Sequence, residues 1–151
     1  MAFLSTYARV IYASRWAEPG RQDVDDLLSE IVTASAASNL AAHVTGFLLF
    51  RKGWFLQALE GDLDGVDRAF DRIRRDRRHF AVHVIADEAV FERVFPEWSI
   101  CASDLHDIPA SVLAGLGLAG TFDPARLDAE KALALLLAAA EATRDAAVRA
   151  A

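Results

Sequence analysis

Apolar and polar positions change period several times along the chain, and each change predicts an element. Phe3 to Ser14 mixes β-branched and aromatic residues, among them Leu4, Tyr7, Val10, Ile11 and Tyr12, and predicts a strand. Glu18-Pro19-Gly20 breaks it. From Asp23 to Ala37, Val24, Leu27, Leu28, Ile31, Val32 and Ala34 fall at helical spacing and predict a helix with one apolar face. Val44 to Phe50 is a continuous apolar run. Arg51-Lys52-Gly53 follows it, then Trp54 to Leu59, which predicts a hairpin with a short glycine-containing turn. Asp62 to Arg75 carries Val66, Ala69, Phe70 and Ile73 on one helical face. Ala81 to Val90 predicts another strand, and Trp98 to Ala102, after Pro96, a short fifth.

This order, β-α-β-β-α-β with one strand more, predicts an α+β fold. The expected form is ferredoxin-like βαββαββ: a five-stranded mixed sheet with two helices on one face, plus C-terminal helices. Beyond Asp104 the pattern changes. Pro109 to Leu118 predicts a short helix whose end Gly115 and Gly117 loosen. Asp123-Pro124 reads as an N-cap with proline in the first turn. A long helix from Leu127 to Ala150 then carries a stripe of Leu133, Leu136, Leu137 and Ala140. The chain therefore divides into residues 1–104 and a helical extension, 105–151. That extension either covers the open face of the sheet or pairs with another copy.

A length of 151 residues suits one core, and an apolar content of 54% argues against disorder. A net charge of -6 makes nucleic acid and anionic membrane poor partners, so neither is expected. No apolar run approaches the roughly 20 residues that span a bilayer. Met1 to Val10 lacks the pattern of a secretory signal. Cys101 stands alone and cannot form an internal disulfide, so a cytoplasmic location is the simplest expectation.

No phosphate-binding loop or nucleophile elbow is present, and no enzyme activity is expected. His79 and His83 would suit a metal only on one helix; they straddle a predicted helix-to-strand junction, so no metal is expected. Cys101 reads as a buried structural residue. Arg72, Arg74, Arg75, Arg77 and Arg78 read as a solvated helix end, where cations suit the dipole, or as a phosphate contact. Three polar residues fall on or beside elements otherwise built for a core. Tyr12 lies on the first strand, Asn39 just after the first helix, and Gln57 within the third strand. Together they could present donors and acceptors to a planar heterocycle. Gln57 on a solvent-facing edge and Asn39 as a helix cap are the plainer alternatives.

Several segments carry a resemblance. They are Val10-Ile11-Tyr12-Ala13-Ser14-Arg15, Ser38-Asn39 with His43-Val44-Thr45-Gly46, and Gly53-Trp54-Phe55-Leu56-Gln57-Ala58-Leu59-Glu60-Gly61. Arg75-Asp76-Arg77-Arg78-His79 and Arg93-Val94-Phe95-Pro96-Glu97-Trp98-Ser99-Ile100 complete the set. Over about residues 3 to 103 the chain resembles the BLUF family, blue-light sensors that use FAD. The Phe-x-Gln-x-Leu-Glu-Gly segment followed by Arg-Asp-x-Arg-His is specific only in combination.

The resemblance implies that FAD is the cofactor and that its isoalloxazine ring lies between the two helices. It implies Tyr12 as the photochemical tyrosine and Gln57 as the switching glutamine, with Trp98 nearby to quench, gate or pack. Asn39 would hold the carbonyl and nitrogen edge of the ring, and Ser14 would sit near the tyrosine strand. Arg78 and His79 would lie near the ribityl and phosphate part, steadied by Asp76. Ile31 and Phe55, by residue type, would sandwich the ring. Light would draw an electron and a proton from Tyr12 through Gln57. Recombination would leave the Gln57 amide rotated or tautomerised and the absorption shifted slightly to the red. Leu in place of Gln57 could not form these bonds.

Three departures from the family pattern stand out. His43 replaces a common glycine, Glu18-Pro19-Gly20 is the apparent insertion, and Ile100 replaces a methionine associated with signalling through the fifth strand. With no second catalytic domain in the sequence, the chain looks like a short family member. Residues 1–104 would be the flavin-binding sensor. Residues 105–151 would pass the signal to an unidentified downstream protein or change a homo-oligomer. The competing reading is a non-photochemical α+β module for protein interaction or a small ligand. A flavin enzyme would need a nicotinamide site or a catalytic base, and neither has a fingerprint here.

Overall fold

The computed structural model describes residues 6–17, 23–101 and 108–150. Strand β1 (Tyr7–Trp16) leads to helix α1 (Val24–Ala41), then to β2 (Thr45–Arg51), β3 (Trp54–Gly61) and α2 (Leu63–Arg75). Strands β4 (His79–Val90) and β5 (Trp98–Cys101) follow, then helices α3 (Ala110–Gly115) and α4 (Ala129–Ala150). The strands form a five-stranded sheet in the order β4-β1-β3-β2-β5. Its neighbours are antiparallel except for the parallel pair β2–β5. The α+β class is as expected.

The central strands β1, β2 and β3 are buried on both faces, which is why they read as continuous apolar runs. Alternation along each strand sorts the side chains between two layers. Val10, Tyr12, Leu48, Phe50, Phe55 and Leu59 join Leu27, Leu28, Val66, Ala69 and Phe70 of α1 and α2. Ile11, Ala13, Phe47, Leu49, Leu56 and Ala58 face the other way, into a core with Ile108, Leu118, Phe122, Leu127, Leu135 and Leu136. The C-terminal segment thus packs on the sheet face that α1 and α2 leave open. Leu135 and Leu136 are fully buried there, each worth about 1.5–3 kcal/mol of transfer from water.

Two backbone features position the hairpin. Lys52 and Gly53 both have positive φ (50° and 80°), the conformation that a two-residue turn between twisted strands requires. At Gly46 a Cβ would lie 1.9 Å from the Ala58 carbonyl oxygen, so only glycine lets β2 lie this close to β3.

The structure moves several expected boundaries. Helix α1 runs on to Ala41, so Asn39 lies in its last turn and not beyond it. The Asn39 carbonyl accepts the Val44 N–H at 2.9 Å, tying the end of the helix to the start of β2. His43 makes the turn with φ 55° and points to solvent, which accounts for the glycine common there. His79 and His83 lie on one strand and not at a junction. Four residues of strand span about 13 Å, too far to share one ion. Asp123 caps no long helix: Pro124–Arg126 is a separate 3-10 turn. Asp128 holds the start of α4 instead, its Oδ1 accepting the Lys131 N–H at 2.8 Å. The buried face of α4 is Ala132, Leu135, Leu136 and Ala139, about one position from the expected stripe, and Leu137 is exposed. The starts of the first predicted strand and the Glu18-Pro19-Gly20 segment lie outside the described residues, as do Ala102 and His106. Among the described residues no helix is long and apolar enough to cross a membrane.

Candidate functional site: a cleft between two helices

The site begins with strand register. In the antiparallel β1–β3 pair, Tyr12 stands directly opposite Gln57, and Leu48 stands opposite Gln57 on its other side. Directly opposed residues share a face and bring their side chains together. The Tyr12 hydroxyl accordingly donates to Gln57 Oε1, and both residues are buried. Phe70 of α2 stacks on the Tyr12 ring, with centroids 5.4 Å apart and planes 28° apart. Burial, with the Asp76 charge adding to it, pushes the Tyr12 phenol well above its ordinary range. The phenol therefore keeps its proton in the dark and holds it against an amide oxygen.

Asn39 reaches the same space from the last turn of α1 and is buried. Tyr12 engages only the Oε1 of the Gln57 amide, which leaves its N–H₂ for another acceptor. Neither amide is sealed from solvent, because both residues open onto the cleft. Both line the cleft, where a ligand edge can reach them.

His79 opens β4 against the floor of the site. Its Nε2 lies against the Ile73 carbonyl, which can only accept, so Nε2 carries a hydrogen. Nδ1 lies in hydrogen-bond contact with the hydroxyl of Ser14 at 2.7 Å. Ser14 is fully buried. Both ring nitrogens are thus engaged by the protein, and the ring packs edge-on against Tyr12 and Phe55. Beside it, the Asp76 carboxylate accepts the Arg78 backbone N–H at 2.9 Å and the guanidinium Nε at 3.0 Å. Burial alone would raise the Asp76 carboxyl, but the Arg78 hydrogen bonds and charge outweigh it and hold it below the usual carboxylate range. The same hydrogen bonds hold the Arg78 guanidinium above its usual range.

These groups surround an open cleft with about 760 Å³ of empty space, its mouth included. Helix α1 lines it with Ile31, Ala34, Ser35 and Asn39, and the sheet with Tyr12, Leu48, Phe55, Gln57 and His79. Helix α2 and the turn after it add Ala69, Arg72, Ile73, Asp76 and Arg78. Of the expected site residues, Tyr12, Ile31, Asn39, Phe55, Gln57, Asp76, Arg78 and His79 line the cleft. Ser14 lies behind His79, and the Trp98 side chain lies outside what is described, as does that of Ile100. Ser35 and Leu48 were not singled out as site residues, and Arg72 was named only within the basic cluster, as a helix-end charge or a phosphate contact. Ala34, Ala69 and Ile73 read as core. The available signal was spacing, because residues 69, 72 and 73 form one stripe on α2 that residue 76 continues just past its end, and residues 31, 34 and 35 form another on α1. Small alanines on both stripes leave room between the helices. Apolar walls, two amide edges and arginines at the rim fit a planar heterocycle that carries carbonyls and a phosphate tail.

The fold and the cleft define a small α+β ligand-binding domain. The model of a family described as sensors of blue light using FAD, BLUF, matches residues 7–101, and the chain belongs to that family. That family is one of blue-light sensors whose domains bind a flavin. The chain is 34% identical over 101 residues to a photoactivated adenylate cyclase subunit beta-like protein of Euglena gracilis, covering 66% of this chain and 11% of the relative. The structure of BlsA in its photo-activated state matches with a TM-score of 0.76 and 27% identity, covering 87% of this chain and 94% of that one. The dark-state structure of BlrB, a BLUF protein, matches with a TM-score of 0.67 and 29% identity, covering 91% and 99%. The chain spans only 9% and 11% of the length of the first two curated relatives it matches.

Proposed function

We propose that light switches this protein through the Tyr12–Gln57 pair, with FAD as the chromophore, and that the C-terminal segment carries the signal out. The observation that carries this is the Tyr12 hydroxyl donating to Gln57 Oε1 at the floor of the cleft, which the Asn39 amide also lines. When bound, a flavin supplies the absorption of blue light and a transient electron acceptor. Tyr12 gives up an electron, and its proton leaves along the bond to Gln57. Both return to Tyr12, and the Gln57 amide is left rearranged, with its hydrogen bonds to Tyr12 and to the ligand edge exchanged. Nothing is consumed, so the site switches and does not turn over.

The other roles follow the same geometry. Asn39 holds the carbonyl and nitrogen edge of the ring. Ile31 and Phe55 pack against it. His79 and Ser14 fix the floor beside Tyr12. The phosphate part falls to the rim, where Arg72 and Arg78 line the cleft and Asp76 holds Arg78 in place. Those rim arginines support FAD over a flavin without phosphate. The strand order β4-β1-β3-β2 supports a ferredoxin-like reading of the sheet, with β5 added at its edge. Residues 1–104 act as the sensor. Residues 105–151 act as the output segment toward a downstream protein or a second copy. The packing of α4 on the sheet supports this division of labour.

The test is an absorption spectrum of the flavin-loaded protein in the dark and directly after blue light. The expected result is a small red shift of the flavin band that reverses in the dark and disappears in Gln57→Leu, while the band itself remains. A band that shifts equally in Gln57→Leu removes the amide from the mechanism.

A further inference from the structure

We infer that Glu60 is a positioning residue that couples the cleft to β5 and the C-terminal helices. The inference rests on the photosensor reading above. Glu60 lies three residues after Gln57 on β3, so it projects from the opposite face of the sheet, toward the C-terminal segment. It is fully buried.

Register places Glu60 in one row across the sheet. Glu88 of β4 stands opposite Arg9 of β1, Arg9 opposite Glu60, and Glu60 opposite Thr45 of β2. Arg9 donates from Nε to Glu60 Oε2 at 2.9 Å and from Nη1 to Glu88 at 3.3 Å. The Glu60 carboxylate also accepts the backbone N–H of Val94 at 3.0 Å and of Phe95 at 2.6 Å. Arg93 donates to Thr45 Oγ1 at 2.7 Å and to the Glu60 carbonyl at 3.1 Å. The segment leading into β5 therefore hangs on the same short stretch of β3 that carries Gln57. Phe95 in turn stacks on Phe47, with centroids 5.9 Å apart, inside the core shared with Ile108, Leu127 and Leu135.

A buried carboxylate with several donors cannot release one cheaply, because the charge left behind has no water to turn to. A displacement of β3 that follows the Gln57 rearrangement must therefore drag residues 93–95 or break their bonds to Glu60. Either outcome disturbs the core under α4. A Glu60 that merely holds the fold together would stabilise dark and lit states alike.

Glu60→Gln keeps the size and removes the charge. The full chain loaded with FAD is compared in the dark and under blue light, by the flavin spectrum and by hydrogen exchange. In the wild type, the Val94 and Phe95 amides are expected to exchange about tenfold or more differently in the light, the effect of losing one bond to a charged acceptor. In Glu60→Gln the red shift should persist, because Tyr12 and Gln57 lie on the other face. The light-minus-dark difference over residues 108–127 should vanish. An undiminished difference in the variant overturns the inference. So does identical protection of Val94 and Phe95 in dark and lit wild type, a measurement that decides the matter even if the variant fails to fold. A wild type without any red shift overturns the photosensor reading and this inference with it.

Discussion

Tyr12→Phe removes one oxygen from a phenol that is only 3% exposed. At neutral pH the variant should be less stable by about 1 kcal/mol, because Gln57 Oε1 loses its donor. In alkali the balance reverses. The unfolded phenol ionises near its ordinary pKa of 10.0, whereas in the fold burial and the Asp76 charge hold its proton well above that. A folded pKa raised above the unfolded one gives stability that is complete below pH 10 and is lost as pH climbs. Each further pH unit removes about 1.4 kcal/mol from the wild type. Phenylalanine has nothing to ionise, and the second tyrosine, Tyr7, is common to both proteins. The two unfolding free energies should therefore cross near about pH 10.7, where the alkaline loss equals the bond lost. Urea unfolding followed by circular dichroism at steps between pH 8 and pH 11.5 reads this directly. Curves that stay parallel across that range would show that the phenol is not sealed, and the account of Tyr12 as a retained proton donor would fail. The same variant should keep its flavin band and lose the light-induced red shift.

Leu135→Ala empties a fully buried position under α4 and should cost about 2–5 kcal/mol in chemical denaturation, with faster hydrogen exchange in α3 and α4; a loss under 1 kcal/mol would mean that the C-terminal segment is not docked on the sheet in solution. Asp76→Asn should lower stability above pH 4, and the deficit should shrink as pH falls below the unfolded pKa of 3.8 and through the lower folded value, because a depressed carboxyl loses its contribution there; a thermal unfolding series from pH 2 to pH 6 reads the difference. His43→Gly relieves a left-handed turn at an exposed site and should stabilise by about 1 kcal/mol or less without altering the flavin spectrum; a shifted band would place His43 in contact with the chromophore.

The elements and their order were legible because they follow from local pattern. Helical spacing on α2, the apolar run of β2 and the glycine-bearing turn at Lys52-Gly53 each act within a few residues. The same holds for the chemistry of Tyr12, Asn39 and Gln57, which stood out as polar groups on apolar elements. Phase was not legible. In α4, alanine and leucine surround the helix, so residues 133, 136, 137 and 140 fit an apolar stripe as well as 132, 135, 136 and 139 do. Only packing against Phe47, Leu49 and Leu56 selects the second set. Strands β1 and β3 are apolar on both faces, so alternation carries no sign of which side is which. The β1–β3 register alone sets Tyr12 against Gln57, and it sets Arg9 against Glu60 on the opposite face. A slip of one residue would have turned the phenol and the amide away from each other. Residue types and periods are properties of short stretches of chain, whereas a site assembled from four strands and two helices exists only once long-range pairing has brought those stretches together.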